Sequence, residues 1–266
     1  MKRKHATRSR SSALLEQPAT VWRHSQRNRV IEDAWLTDVS VGLKVGFDRE
    51  THSTTSLFGP RNKLVRSPQA ETILGLISAL NAKDPYTARH SIRVESYARC
   101  IAKRLKLGPE ITKMIRIAAL LHDIGKIGIA DSILTKKGPL TETEFETMKE
   151  HPALGASILG PIHFMDPLLP LVVHHHEWFD GNGYPAGLSA DAIPFGAKVI
   201  QAADCVDAMM WPRSYRTGFP ISKIITEFEE GSGSQFDPNI ARITIEWLHE
   251  YSAIMESQLA KGAGYD

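Results

Sequence analysis

The chain is poor in cysteine, with two in 266 residues, Cys100 and Cys205, and no Cys-x-x-Cys pair. A disulfide framework is therefore excluded, and both read as reduced core residues. No window of 18 apolar residues exists, so no membrane span is expected. The opening "MKRKHATRSRSSALLEQ" carries charge without a following apolar segment, which argues against a secretory signal and makes a cytoplasmic location the expectation. Internal repeats and heptads are missing too. Alternation with period two occurs only in "VSVGLKVGF", residues 39–47, which allows one strand or a small hairpin.

What is present is ordinary in amount and uneven in distribution. Hydrophobic residues make up 42% of the chain, enough for a soluble domain to bury a core. The net charge of +2 conceals an asymmetry, because residues 1–66 hold 13 Lys and Arg against 6 Asp and Glu, while the remainder is acidic. The basic front is Ser-, Arg- and Thr-rich at its start, which favours disorder or a small regulatory extension. It lacks the aromatic interleaving of a nucleic-acid binder, so no nucleic-acid partner is expected. A domain boundary is placed near residue 66, dividing an extension 1–66 from a domain 67–266.

Beyond that boundary the pattern is helical. Spacing predicts helices over about 68–82, 86–106, 109–124, 141–159, 167–178, 195–210, 219–229 and 238–259. Pro109 stands at a first helical position, and Thr141 with Glu144 forms a capping box. The expected class is an all-α multi-helix bundle.

Ionisable side chains fall on the apolar stripes of these helices. His90 precedes Val94, Ala98 and Ile101 at helical spacing; Ile111, Ile115 and Ala118 lead to His122 with Asp123 beside it; Phe145 and Met148 lead to His151; Ile200 leads to Asp204. In "LPLVVHHHEWFDGNGYPAGL", residues 169–188, a continuous helix would place His175 and His176 beside the stripe of Leu168 and Val172 and turn His174 away. One histidine on an apolar face is ordinarily a satisfied core residue. Five imidazoles and two carboxylates are another matter, since each unpartnered buried polar group costs about 1–3 kcal/mol. Shared metal removes that cost. Imidazole and carboxylate without thiolate suit iron, manganese, zinc or nickel, and seven ligands exceed one tetrahedral ion, so two ions sharing the Asp123 carboxylate are expected.

The motifs "HSIRV" (90), "LLHDIGKIGI" (120–129), "EFETMKEHPALGASIL" (144), "HHEWFDGNGYPAGL" (175), "AADCVDAM" (202), "RSYR" (213) and "GSQFDP" (233) resemble, in order and spacing, the HD-GYP subfamily of HD-superfamily phosphohydrolases, which are bacterial cyclic di-GMP phosphodiesterases. The resemblance covers about residues 67–260. It implies a first metal on His90, His122, Asp123 and Asp204, and a second on the bridging Asp123 with His151, His175 and His176. It also implies Lys126 against the scissile phosphate, and Tyr184, Asp207, Arg213 and Arg216 along the nucleotide pocket. Two divalent ions, iron or manganese, would be the cofactors, and a diguanylate cyclase domain protein is an expected partner. Tyr86 stands where some members carry a glutamate for a third metal, so two are expected. Trp211 departs from the subfamily's pattern and is expected either to stack on a guanine or to close the pocket. Metal-assisted hydrolysis of cyclic di-GMP to the linear dinucleotide or GMP is the implied reaction. The alternatives are another cyclic dinucleotide such as cyclic GMP-AMP, a nucleotide phosphate, or a non-catalytic module that senses the dinucleotide or docks a cyclase.

Overall fold

Proline and a polar cap open the first helices. The computed structural model describes residues 67–211 and 218–262. Helix α1 (Pro68–Lys83) starts behind Ser67, whose hydroxyl accepts from Ala70 N; α2 (Pro85–Arg104) starts behind Asp84, whose carboxylate accepts from Tyr86 N and Thr87 N; α3 (Pro109–Leu121) starts behind Gly108. Proline has no N–H to leave unpaired there, and its φ is already helical. The basic extension with its expected strand lies outside the described residues, as do Arg213 and Arg216.

After α3 the chain makes a 3₁₀ turn (Ile124–Gly128), a short α4 (Asp131–Leu134), α5 (Glu142–Met148) and α6 (His151–Leu159). A second 3₁₀ turn (His163–Leu168) leads into α7 (Leu169–Val173); then follow α8 (Phe195–Met210), α9 (Ile221–Glu230) and α10 (Pro238–Gly262). Among the described residues there is no strand, only an isolated bridge between Ser232 and Phe236. The all-α expectation holds for these residues.

Helix α2 is central, packed against α1, α3 and α8. Its Val94, Ala98 and Ile101 meet Ile115, Ala118 and Leu121 of α3 and Val199, Ala203 and Val206 of α8 in one apolar cluster, all at 1% exposure or less.

Two expected helices are broken, and each break has a cause. The helix expected over 141–159 is α5 and α6, because Pro152 occupies the first turn of α6 and cannot donate back into α5. Phe145 is consequently 46% exposed and forms no stripe with His151; Ile111, 42% exposed, likewise falls outside the stripe of α3. The helix expected over 167–178 is regular only from Leu169 to Val173, with Pro170 in its first turn, and residues 174–176 form a turn.

The 3₁₀ turn lies directly on α6, and a Cβ at Gly125 would overlap the carbonyl oxygen of His151 and crowd Gly155 N. Gly125→Ala must therefore push α6 away from the turn. It is expected to destabilise the protein by about 3 kcal/mol or more, readable by chemical denaturation, and to release metal in the same step.

Candidate metal centre

Seven side chains from five segments converge. His90 comes from α2, His122 and Asp123 from the end of α3, His151 from the start of α6, His175 and His176 from the turn after α7, and Asp204 from α8. Ligand atoms of His90, His122 and Asp204 lie within 4.8 Å of one another, as do those of His122, Asp123 and His175, and those of His151, His175 and His176. Asp123 joins the groups, with Oδ2 3.4 Å from His122 Nε2 and 3.6 Å from His90 Nε2, and Oδ1 3.3 Å from His151 Nε2. His90 Nε2 is also 3.0 Å from Asp204 Oδ1.

Backbone geometry sets the tautomers. Nδ1 of His122 lies 2.7 Å from the Ala119 carbonyl, that of His151 2.8 Å from Met148 O, and that of His175 2.7 Å from Val172 O. A carbonyl only accepts, so each Nδ1 carries the proton and each Nε2 turns a lone pair inward. His122 Nε2 is buried without a hydrogen-bond partner, and the Nε2 atoms of His151 and His175 face each other at 3.3 Å. Two lone pairs at that separation repel unless a cation lies between them. Ligands at about 2.1 Å from one tetrahedral ion stand about 3.4 Å apart, so the donor set fits a metal ion.

The electrostatics agree. Burial, aided by the neighbouring imidazoles, pushes His175 well below its ordinary pKa; burial against the opposing pull of Asp204 and Asp123 leaves His176 at about 4, and burial against that of Asp123 leaves His151 at about 3. All three are neutral, the ligating form. Burial works against ionisation of Asp123, but Lys126 and the surrounding histidines overcome it and hold the carboxyl well below its ordinary value. His90 differs: burial opposes its charge, yet Asp204 and Asp207 raise it to about 9.

Asp207 requires a correction. Expected along the nucleotide pocket, it is fully buried behind His90. Oδ2 faces His90 Nδ1 at 2.6 Å, and Oδ1 and Oδ2 accept from Arg93 Nε at 2.6 Å and Nη2 at 2.9 Å. Both oxygens are engaged, so the carboxylate faces His90 and Arg93 and not an open pocket. The signal was in the spacing: Asp207 lies nearly one turn beyond Asp204, and Arg93 nearly one turn beyond His90. At pH 7.5 the metal-free protein carries the extra His90 proton, so metal uptake is expected to release at least one proton per chain. Calorimetry in buffers of different ionisation heat reads it, and Asp207→Asn should weaken metal affinity about 10- to 100-fold.

Lys126, in the 3₁₀ turn, reaches Asp123 Oδ2 at 2.6 Å. Tyr184 stacks on His176 with ring centroids 4.8 Å apart, Lys149 Nζ lies 5.7 Å from the Tyr184 ring, and Tyr184 N donates to His176 O. That close return needs Gly183, where a Cβ would collide with the backbone of residues 176–178. Trp211 donates from Nε1 to Tyr97 Oη at 3.0 Å, with the Arg93 guanidinium 4.9 Å from its ring centroid, and so belongs to the wall between α2 and α8. Tyr86, 36% exposed, brings no carboxylate to the centre.

Glu177 was not singled out in the sequence. Its carboxylate, with a side-chain exposure of 0%, accepts from Ala186 N at 2.8 Å and Leu188 N at 3.1 Å and meets His174 Nδ1 at 3.2 Å. Its carbonyl accepts from Gln201 on α8. It thus closes the loop carrying Tyr184 onto the ligand turn, and His174, placed away from the centre as expected, supports it.

The family model described as "HD domain" matches residues 75–240. Curated proteins similar to this chain include a cyclic di-GMP phosphodiesterase of Vibrio cholerae, 34% identical over 71% of this chain and 42% of its own length. A 3′3′-cGAMP-specific phosphodiesterase 3 of the same organism is 40% identical over 60% of this chain and 35% of its own. A cyclic di-GMP phosphodiesterase of Thermotoga maritima is 39% identical over 68% and 50%. This chain spans half or less of the length of these relatives. Among solved structures, an HDG"Y"P protein from Bdellovibrio bacteriovorus superposes with a TM-score of 0.51 at 20% identity, over 60% of this chain and 51% of that one, a likeness of fold.

Proposed function

We propose, from the premise that this chain belongs to the HD domain family, that it is a phosphodiesterase that hydrolyses a cyclic dinucleotide, with cyclic di-GMP as substrate. The observation that carries the reading is the convergence of five imidazoles and the Asp204 carboxylate around Asp123, with Lys126 bound to the Asp123 carboxylate. His90, His122, Asp123 and Asp204 would hold one divalent ion, and Asp123, His151, His175 and His176 a second, iron or manganese. Bound ions would supply Lewis acidity and an activated water.

The chain's own groups do the rest. His122, His151 and His175 keep their Nε2 lone pairs inward through the carbonyl acceptors behind them. Lys126 puts a fixed ammonium beside Asp123, where a phosphodiester gains negative charge as it is attacked. Tyr184, stacked on His176, walls one side and offers a ring face to a nucleobase. Arg213 and Arg216 would line the nucleotide pocket.

A second reading, hydrolysis of 3′3′-cGAMP, is favoured by the 40% identity to a phosphodiesterase named for that substrate. The test compares specificity constants of metal-loaded protein for cyclic di-GMP, 3′3′-cGAMP and cyclic di-AMP, with metal content measured in parallel. Preference for cyclic di-GMP supports the first reading and preference for 3′3′-cGAMP the second. No turnover of any of the three by protein holding two ions per chain overturns both.

A further inference from the structure

Beside the metal centre, α5 ends in a group of side chains that the chemistry above leaves unused. Lys149 is the residue at its C-terminal cap, and Lys149 Nζ lies 4.9 Å from the Phe145 ring centroid and 5.7 Å from that of Tyr184. Tyr184 in turn stacks on His176, with centroids 4.8 Å apart. A continuous run of contacts thus leads from a metal-ligand candidate through an aromatic ring to an ammonium group, and from there to a second ring.

The cation is held in place but not consumed. Both ring faces attract it, and Phe145, 46% exposed, contributes to that hold instead of to the core. Its ion pair is with Glu146, whose Oε1 is 2.6 Å from Nζ on a side chain 62% exposed. A pair with so exposed a partner contributes little, so a ligand can redirect the ammonium at small cost.

A base laid against Tyr184 brings one of its edges towards Lys149. Stacking on the ring tolerates any base, because every base has a π face. The ammonium does not, since it offers three donors and no acceptor. Guanine presents two acceptors on its Hoogsteen edge, N7 and O6, whereas adenine presents N7 beside the donor N6–H₂. Lys149 can bond to both guanine acceptors and meets a second donor at adenine.

We infer that Lys149 is a specificity-determining residue, which reads the edge of the purine stacked on Tyr184 and selects guanine there. This role rests on the cyclic-dinucleotide reading above. It serves either substrate named there, since cyclic di-GMP and 3′3′-cGAMP each carry a guanine to seat at this position and cyclic di-AMP carries none.

The test measures kcat/KM of the metal-loaded full chain for these three dinucleotides in the native protein, Lys149→Met and Lys149→Arg, with metal content in parallel. Calorimetric titration with guanosine monophosphate and adenosine monophosphate gives a readout independent of turnover. In Lys149→Met, kcat/KM for the two guanine-containing substrates is expected to fall about tenfold or more, and that for cyclic di-AMP about twofold or less, with metal content unchanged. Affinity for guanosine monophosphate should fall likewise, and that for adenosine monophosphate should not. Lys149→Arg keeps donors in a fork that suits N7 and O6, so it should retain the guanine preference. Equal losses for all three dinucleotides would mark a purely structural part in capping α5 and overturn the assignment. An unchanged guanine-to-adenine ratio in Lys149→Met would overturn it too, and either result leaves the phosphodiesterase reading standing. No turnover of any of the three by native protein holding two ions would overturn that reading, and the role of Lys149 with it.

Discussion

Asp123→Asn is expected to remove metal and to lower turnover on the order of 10³-fold or more, with little change in size or helicity. One oxygen of this carboxylate faces His90, His122 and Lys126, and the other faces His151, so both clusters lose their shared anion together. The amide has nearly the same shape but no charge, so it cannot supply the anion that both clusters share. A thousandfold loss corresponds to about 4 kcal/mol of transition-state stabilisation, within the reach of metal-ion catalysis. Elemental analysis should fall from about two ions per chain to one or none. Two retained ions with undiminished turnover would refute the bridging role.

Glu177→Gln should produce the second large effect through a different route. The carboxylate accepts two backbone N–H groups of the loop bearing Tyr184 and faces His174 Nδ1. Glutamine offers one accepting oxygen and presents an amide donor to the other N–H, leaving a buried donor unsatisfied. Hydrogen bonds to a charged group contribute about 1.5–3 kcal/mol each, so a stability loss of about 2–4 kcal/mol is expected. The functional signature separates it from Asp123→Asn. Metal content should stay near that of the native protein, while KM for the dinucleotide rises and kcat/KM falls about 10- to 100-fold, because Tyr184 is no longer held over His176. Loss of metal with unaltered KM in the residual activity would contradict this role.

The histidines were legible in the sequence for reasons of unequal quality. His90 and Asp204 sit on true helical stripes, on α2 and α8, and periodicity placed them correctly. His151 is brought to the centre otherwise: its expected partner Phe145 is exposed, Pro152 ends the continuity between α5 and α6, and the 3₁₀ turn packed through Gly125 sets its position. His175 and His176 follow α7 in a turn, so the helical phase that separated them from His174 does not apply, although the same division results. In each case the burial of an imidazole beside apolar residues was readable, and the path of the backbone was not.

By itself the sequence determined that the described residues are helical, that they carry imidazole and carboxylate candidates for metal binding without thiolates, and which of these stand near apolar faces. These are local properties: periodicity, capping and side-chain chemistry depend on neighbours within a few turns. Only the tertiary structure decided that Asp207 stands behind His90 instead of lining a pocket, and that Glu177 anchors the Tyr184 loop. Each joins residues on different helices or across a loop, such as His90 and Asp207, 117 positions apart. Spacing along one helix holds no information about which partner the packing of another brings against it.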